Sequence, residues 1–546
     1  MSLTRRAQGV ARNVLILARS GLLAPIRPDR VARMVSVLRS EPVTPTTGIT
    51  LASLRYPDRI ALVDERGTLT WAELDQRANA LAAGLAAQPG GPPRTVAVLC
   101  RNHRGFIEAL VAAGKLGATT LLLNTGFAGP QLADVLAREK ADLIVHDEEF
   151  GGLLQDGGDG APLRRVVGWT DGDLTGSTVD GLIAEYHGQR PGPPPRSGRI
   201  VLLTSGTTGT PKGARLSDGA DASTLLFMLD RIPWRSGESV VVAAPMFHAW
   251  GFGQLLIAAT MSCTIVMRRR FDPEATLALV ATHRAAALGL VPVMLERIVD
   301  LPASVRRRYD LRSLRFVTAS GSRMRPDAVI TFMNEFGDVI YNSYNATEAG
   351  LIATATPKDL RAAPDTAGRP VEGTEIRILD GANQEVASGD IGRIFARNNT
   401  QFEGYTSGDT KMFHDGFMAT GDLGRLDESG RLYVVGRDDE MIVSGGENVY
   451  PLEVEDTLAG HDAVLEAAVV GVDDAIYGQR LEAFVVLRQD ADASPDDLKR
   501  HVRENLAGYK VPRAVTMLDE LPRGTTGKVL KADLITSARS DADTAD

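Results

Sequence analysis

Residues 204–213 read Thr-Ser-Gly-Thr-Thr-Gly-Thr-Pro-Lys-Gly and directly follow the apolar run Ile-Val-Leu-Leu at 200–203. Such a run predicts a buried β-strand, and the glycines and threonines after it predict a loop. Glycines let the backbone turn its N–H groups inward, hydroxyls add donors, and Lys212 adds positive charge. The stretch therefore predicts a phosphate cradle, with a flexible turn as the alternative. It is not a Walker A loop, because Pro211 precedes the lysine and Gly213 follows it.

Around this loop, short apolar runs alternate with helical stretches. Strands are predicted at 96–100 and 143–145, with a helix near 106–116 between them. This alternation is typical of βαβ units on a parallel sheet. Turn signals are frequent from 366 to 436, which predicts a small β-rich subdomain, and a compact αβ unit is predicted for 438–535.

Length and composition place further limits on the function. A chain of 546 residues exceeds what one hydrophobic core usually supports, so we expect two or more domains. The formal net charge of −9 gives no support to a nucleic-acid partner. Cys100 and Cys263 are the two cysteines, and they predict reduced thiols in a cytosolic protein.

Further motifs follow the loop in a fixed order along the chain. They are Leu69-Thr-Trp-Ala-Glu-Leu74, Lys115-Leu-Gly-Ala118, Pro245-Met-Phe-His248, Tyr344-Asn-Ala-Thr-Glu348, Thr420-Gly-Asp422, Gly436-Arg437 and Pro522-Arg-Gly-Thr-Thr-Gly-Lys528. Together with residues 204–213 they resemble the adenylate-forming superfamily, which includes acyl-CoA synthetases, luciferases and peptide-synthetase adenylation domains. The resemblance covers about residues 50–535.

The resemblance implies an α/β fold with a large, multi-subdomain N-terminal body and a small, mobile C-terminal α+β domain. The body would include the β-rich subdomain. We therefore predict a basic amphipathic segment at 1–48, an N-terminal AMP-binding domain at 49–437, a C-terminal AMP-binding domain at 438–536 and a disordered tail at 537–546.

The resemblance also implies a set of site residues. The catalytic residues would be Lys212, His248, Thr347, Glu348 and Lys528. The ATP-binding residues would be Thr204, Ser205, Gly206, Thr207, Thr208, Gly209, Lys212, Tyr344, Asn345, Thr347, Asp422, Arg437 and Lys528. Thr204 and Glu348 would serve Mg²⁺, and His248, Gly321 and Ser322 would bind the acyl group. Asp439 would be the hinge residue, and Gly445 and Gly446 would line the access of CoA.

These residue types suit the chemistry of carboxylate activation. A carboxylate oxygen must attack the α-phosphate of ATP, so the site needs positive charge, hydrogen-bond donors and a metal ion. Tyr344 offers a flat face for adenine, and Asp422 can accept both ribose hydroxyls. Lys528 would bridge carboxylate and phosphate oxygens. Asn345 departs from the family pattern, in which glycine is common, and could narrow that side of the pocket.

The same motifs favour one class of acid. Amino-acid-activating relatives usually carry Asp where His248 follows Phe247, so an acid without an α-amino group is favoured. The short stretch after Lys528 leaves no carrier domain, which favours CoA as the acceptor beside ATP and Mg²⁺. An aromatic content of 5% predicts a medium- or long-chain fatty acid. The alternatives are a fatty acyl-AMP ligase that loads a separate carrier protein, or an inactive acyl- or nucleotide-binding scaffold.

The N-terminal segment is unusually basic. Residues 1–40 contain eight arginines and one acidic residue, Asp29. Residues 1–22 predict a helix with Arg5, Arg12 and Arg19 on one face, opposite the apolar face formed by Leu3, Ala7, Val10, Val14 and Leu17. Such a helix could rest on an anionic membrane surface or pack on the body behind it. Both interpretations stay open, so we expect a cytoplasmic protein with peripheral contact at the inner membrane face as one outcome.

Overall fold

The structure is a computed structural model of the whole chain. It describes every residue except 1–2, 41–43, 45, 155–162, 173–175, 195, 205–211, 216–221, 347–348, 399–410, 445–446, 475–477, 526 and 544–546. For residues 3–10, 204, 212–215, 222–224, 443, 448, 478 and 539–543 the backbone alone is described.

The chain divides into two compact units. The first contains residues 1–365, 371–373 and 398–410, and the second contains 366–370, 374–397 and 411–546. The second unit therefore contains most of the segment predicted to be β-rich, together with the predicted C-terminal αβ unit.

The first unit alternates helices and strands, as the apolar runs predict. Its helices are α1 Leu3–Arg19, α2 Pro28–Ser40, α3 Thr47–Arg55, α4 Trp71–Ala87, α5 Arg104–Lys115, α6 Gly129–Arg138, α7 Val179–Glu185, α8 Ala222–Arg231, α9 Ala249–Thr260, α10 Pro273–Thr282, α11 Pro292–Asp300, α12 Ala303–Arg306, α13 Pro326–Phe336 and α14 Pro357–Ala362. Its strands are β1 Ile60–Asp64, β2 Gly67–Thr70, β3 Thr95–Leu99, β4 Thr119–Leu122, β5 Leu143–Asp147, β6 Arg164–Trp169, β7 Ile200–Thr204, β8 Lys212–Arg215, β9 Ser239–Val242, β10 Thr264–Val266, β11 Ala287–Leu290, β12 Phe316–Ser320, β13 Ile340–Ala346 and β14 Gly350–Ala355.

Two mostly parallel sheets organise this unit. One has, within this unit, the strand order β14-β13-β12-β11-β9-β10-β1-β2, and among these described strands the antiparallel pairs are β13–β14 and β1–β2. The other has the order β6-β5-β3-β4-β7-β8, with β7 and β8 antiparallel. One hydrophobic core draws residues from both sheets and from α4, α5 and α9, including Trp71, Phe106 and Phe252. Parallel strands covered by helices explain why these segments are continuous apolar runs.

Two of the early motifs have structural roles. In Leu69-Thr-Trp-Ala-Glu-Leu74, the Thr70 hydroxyl accepts the Glu73 N–H at 3.2 Å. The Glu73 carboxylate accepts the Thr70 N–H at 2.7 Å, so the motif is a capping box that starts α4. Lys115 ends α5 and pairs with Asp75 of α4 at 2.8 Å. The two motifs therefore fix the pairing of α4 with α5.

The second unit begins with short antiparallel strands and continues as an α+β domain. Its strands are β15 Arg369–Pro370, β16 Glu375–Leu379, β17 Gly392–Arg397, β18 Phe413–His414, β19 Phe417–Leu426, β20 Leu432–Arg437, β21 Ile442–Ser444, β22 Glu447–Val449, β23 Val464–Asp474, β24 Gly478–Leu487 and β25 Ala514–Met517. Its helices are α15 Pro451–Ala459, α16 Pro495–Asn505 and α17 Lys531–Asp543. One sheet has the order β16-β17-β19-β18 with β20 beside β19, and the other has β22-β21-β24-β23 with β25 beside β24.

The predicted disordered tail needs a correction. Helix α17 runs from Lys531 to Asp543 and so includes most of the segment 537–546. The physical reason is burial, because Leu534 and Ala538 pack in an apolar cluster against β23 and β24. The small and acidic residues of this segment gave no sign in the sequence that Ala538 would anchor it.

The N-terminal helix also differs from its predicted orientation. Among residues 11–19 of α1, whose side chains the structure describes, the buried residue is Ile16, which lies outside the predicted apolar face, whereas Val14 is 50% exposed. Arg12 pairs with Asp230 of α8 and with Glu372, each at 2.7 Å. At Arg12 the basic face of α1 therefore contacts the body. No helix in the described ranges is long and apolar enough to cross a membrane.

Both cysteines are buried and unbonded to one another. The Cys100 thiol donates to the Val145 carbonyl at 3.6 Å, and the Cys263 thiol donates to the Arg235 carbonyl at 3.4 Å. Burial, reinforced by the Asp147 carboxylate, raises the pKa of Cys100 well above its ordinary value. Burial raises the pKa of Cys263 to about 12.

Candidate active site

Three of four neighbouring parallel strands of the first unit carry predicted site residues at one edge of the sheet. The strands β9, β11, β12 and β13 are adjacent and parallel, so their carboxyl ends share one edge of the sheet. His248 lies in the segment after β9, Gly321 and Ser322 follow β12, and Tyr344 and Asn345 lie near the end of β13. Ligands of open α/β sheets bind at this edge.

His248 is positioned by the buried residues before it and by the helix after it. Met246 and Phe247 are buried in the core of the unit, while His248 is half-buried at the start of α9. Its carbonyl accepts the Phe252 N–H at 2.8 Å. Gly251 allows the helix to approach this motif, because a Cβ at that position would lie 2.2 Å from the Pro245 carbonyl oxygen.

A buried asparagine holds the same motif from the other sheet. Asn102 follows β3, and its side-chain amide donates to the Ala244 carbonyl at 2.9 Å. Its side-chain oxygen accepts the Met246 N–H at 2.9 Å. Asn102 therefore joins the carboxyl ends of β3 and β9 and fixes the backbone that leads into His248. Sequence reasoning missed this residue, although a polar residue just after a buried strand is the available signal.

The acyl-binding candidates after β12 lie on an exposed turn. Ser320 ends the strand and is buried, whereas Gly321 and Ser322 are exposed. Gly321 has a φ of +113°, a conformation that disfavours residues with a Cβ. Glycine thus lets the chain leave the sheet at this edge.

Tyr344 and Asn345 sit at an irregularity of β13. Tyr344 pairs with Ala353 of β14, and the register shifts between Tyr344 and Asn345. The side-chain oxygen of Asn345 is buried and has no hydrogen-bond partner among the described residues. Such an acceptor costs stability unless a donor reaches it. The amino group of adenine is a donor of that kind, so Asn345 fits the predicted nucleotide site.

The phosphate loop is described at its two ends. Strand β7 ends at Thr204 and β8 begins at Lys212, and these two residues face each other in an antiparallel pair. The predicted strand before the loop is confirmed. Ser205, Gly206, Thr207, Thr208, Gly209, Thr347, Glu348, Gly445 and Gly446 lie outside the described residues, and so do the side chains of Thr204 and Lys212.

In the second unit, Asp422 and Arg437 form one ion-paired group. They are direct partners across β19 and β20, and the Asp422 Oδ1 to Arg437 Nη1 distance is 3.1 Å. Arg437 Nε also lies 3.1 Å from Asp439 Oδ1. Burial alone would lower the pKa of Arg437, but Asp422 and Asp439 outweigh it and raise that pKa. Arg437 therefore stays charged and holds the Asp422 carboxylate in a fixed orientation.

A second set of ion pairs follows Asp439. Lys531 lies 3.0 Å from both Glu440 and Glu455. Burial lowers the pKa of Lys531, but the two carboxylates outweigh burial and raise it. The predicted hinge residue, Asp439, is thus the last member of the group tied to β19 and β20, and the group tied to α15 and α17 begins at the next residue, Glu440.

Lys528 is exposed on a tight turn of the second unit. The Gly524 N–H donates to the Lys528 carbonyl at 2.9 Å, and Gly527 has a φ of +80°. Arg523 braces the turn, because it donates to the Gly527 carbonyl at 2.6 Å and to Glu466 at 2.8 Å. The backbone of the predicted catalytic lysine is therefore held while its side chain stays accessible.

Comparison with protein families gives two matches. Residues 51–406 match the family described as AMP-binding enzyme, and residues 453–528 match the AMP-binding enzyme C-terminal domain. The chain is 32% identical to a feruloyl-CoA synthase of Amycolatopsis sp, covering 85% of this chain and 93% of that relative. It is 30% identical to an indoleacetate–CoA ligase of Aromatoleum aromaticum, covering 88% and 94%.

Solved structures share the fold. The o-succinylbenzoate CoA synthetase of Bacillus subtilis, in complex with its acyl-adenylate intermediate, has a TM-score of 0.75 at 27% identity. The match covers 89% of this chain and 97% of that chain. A second structure of that synthetase contains ATP and a magnesium ion.

Proposed function

This chain belongs to the family of AMP-binding enzymes, and on that basis we propose that it joins a carboxylic acid to CoA through an acyl-adenylate. The observation that carries the proposal is the ordered motif set on a fold shared with an acyl-adenylate-bound CoA synthetase. The substrates are ATP and CoA beside the acid, and Mg²⁺ is the metal. When bound, Mg²⁺ neutralises charge on the phosphates.

Residues of this chain would have a role in each of the two half-reactions. In the first, a carboxylate oxygen bonds to the α-phosphorus of ATP and pyrophosphate leaves. Lys528 would hold the approaching oxygens together, and Tyr344 and Asn345 would hold the base. In the second, the CoA sulfur bonds to the acyl carbon, its proton is lost and AMP leaves. Asp422, kept in place by Arg437, would retain the ribose in both steps.

For the acid substrate, we propose a hydrophobic molecule that carries one reactive carboxylate and has no α-amino group. The relatives are named for feruloyl, indoleacetate and succinylbenzoate substrates, all of which contain a ring. This supports a ring-bearing acid as the first candidate. The medium- or long-chain fatty acid stays a prediction that rests on low aromatic content.

The remaining proposals concern acceptor and domain motion. Transfer to a separate carrier protein is the alternative to CoA. The boundary between domains is proposed at Arg437 and Asp438. Asp439 is proposed as the hinge, because it ends one ion-paired group and its neighbour Glu440 begins another.

One experiment tests the function and the substrate class together. Pyrophosphate release is measured for a panel of ring-bearing acids and saturated fatty acids of graded length, with and without CoA. We expect release with at least one acid and formation of its CoA thioester. Release without any thioester would favour the carrier-loading alternative, and no release with any acid would contradict the proposal.

A further inference from the structure

Exposed apolar side chains are concentrated near the N-terminus of the first unit. They belong to α1, to α2 and to the turn between them, and they are 39–54% exposed. We call them the N-terminal patch, which consists of Val14, Leu15, Leu23, Val31, Val35 and Leu38. Single exposed apolar residues are ordinary on a protein surface, whereas an exposed apolar face along one helix usually marks an interaction site.

Helix α2 carries the regular part of the patch. Val31, Val35 and Leu38 are spaced at i, i+4 and i+7, so they share one face of the helix. No residue of α2 is buried, although Arg30 anchors the helix by donating to the Arg55 carbonyl at 2.9 Å. The helix thus rests on the body through one side and shows a separate apolar side to solvent.

The charges around the patch are positive. Arg27 precedes α2 and Arg39 ends it, and both are exposed. Asp29, the acidic residue of α2, is paired with Arg27 at 3.1 Å and with Arg33 at 3.0 Å. The segment remains basic on a chain whose net charge is −9.

We propose that the α2 face of the N-terminal patch docks on the surface of an anionic lipid bilayer. Helix α2 lies in the plane of the interface, with Val31, Val35 and Leu38 at the acyl boundary. Arg27 and Arg39 extend toward the lipid phosphates. The proposal moves the membrane contact from residues 1–22 to α2, because Arg12 of α1 is paired with the body.

Charge decides between a lipid surface and a second copy of the chain. Two copies that met through this patch would bring their arginines together, and like charges in close contact oppose association. An anionic lipid surface instead attracts the arginines, and its acyl boundary shields the apolar side chains from water. The docking depends on the surface alone and is separate from the proposed ligase activity.

A pair of variants on α2 tests the proposal in the full chain. Leu38→Glu places a carboxylate on the apolar face, and Ser36→Glu places the same charge two residues earlier, on the opposite and exposed face. Binding is measured by co-sedimentation with vesicles of phosphatidylglycerol and phosphatidylcholine at low and high salt. Phosphatidylcholine vesicles serve as the uncharged control.

We expect the parent chain to bind the anionic vesicles, and to bind less at high salt. Leu38→Glu should weaken binding at least about tenfold, because it removes apolar insertion and adds repulsion. Ser36→Glu should weaken it about fivefold or less, through charge alone. Melting temperatures and pyrophosphate release should match the parent in both variants.

Three results would overturn the proposal. The first is no binding of the parent to anionic vesicles. The second is equal loss of binding in both variants, which would indicate a charge effect without insertion. The third is a dimer of the parent in light scattering that Leu38→Glu dissociates, which would make a second copy the occupant of the patch.

Discussion

Asn345 combines a departure from the family pattern with a buried acceptor oxygen that no described residue satisfies. If the adenine amino group supplies the donor, Asn345→Ala should raise the apparent KM for ATP about three- to tenfold, since one hydrogen bond contributes about 1 kcal/mol. The KM for the acid should stay unchanged. Initial rates of pyrophosphate release at varied ATP check this.

GTP supplies the control for Asn345. Guanine has an oxygen where adenine has the amino group, so the variant should lose discrimination between the two nucleotides. An unchanged ratio of kcat/KM for ATP and GTP would contradict the contact with the base.

Lys528 is the second residue whose role can be isolated. Lys528→Ala should slow adenylate formation about 100- to 1,000-fold, because one preorganised charge is lost where carboxylate meets phosphate. Thioester formation from a preformed acyl-adenylate should be comparatively intact. Lys499→Ala, which removes another lysine of the same unit, is the matched control. Adenylate formation at parental speed in Lys528→Ala would refute the assignment.

At the scale of the element, the close approach of α9 to the motif before it depends on Gly251. A Cβ there meets the Pro245 carbonyl oxygen at 2.2 Å, whereas a Cβ at Gly253 of the same helix meets nothing within 4 Å. Gly251→Ala should therefore lower the free energy of unfolding by about 1–3 kcal/mol or more. Gly253→Ala should leave it equal or raise it by up to about 1 kcal/mol.

Thermal unfolding of the two variants measures the difference directly. Because both changes add one methyl group to one helix, helix propensity cancels between them. Equal melting temperatures would mean that α9 can shift without cost, and His248 would then not be rigidly positioned.

Some elements could be predicted from the sequence and others could not. The strands β3, β5 and β7 follow from local apolar runs, which need no knowledge of distant residues. The contact of Asn102 with Met246 joins positions 144 residues apart, so a local pattern can mark Asn102 as a polar residue after a strand but cannot identify its partner. The helical period of α1 predicts an amphipathic helix, but burial of Ile16 depends on which side the body approaches.

For the whole molecule, the sequence predicted a large α/β body followed by a smaller α+β domain, and the fold confirms this class. The ordered motifs carried that prediction, because several of them mark the end of a strand or a tight turn, although Thr420-Gly-Asp422 lies within β19. The predicted site residues are distributed over both units. His248 and Tyr344 belong to the first unit, whereas Asp422 and Lys528 belong to the second.

The two thiols make a prediction about the folded state as a whole. Both are buried, and their pKa values are raised, that of Cys263 to about 12. A raised pKa keeps a thiol protonated at pH 8, and the protonated form is unreactive. We expect a disulfide dye to label neither cysteine in the native protein and both after unfolding in denaturant. Rapid labelling of the native chain would show that one thiol is accessible.

If the protein's own thiols do not react with the dye, the consumption of CoA, the proposed acceptor, can be measured directly. CoA would carry the one thiol in the mixture that such a dye can detect, even when the protein is present at a concentration equal to that of its substrates. A single turnover could then be followed as the loss of the CoA thiol, measured by its colour reaction with the dye. No signal from the protein's own thiols would have to be subtracted. The burial of Cys100 and Cys263 would thus allow the thioester step to be timed apart from the release of pyrophosphate in the first half-reaction.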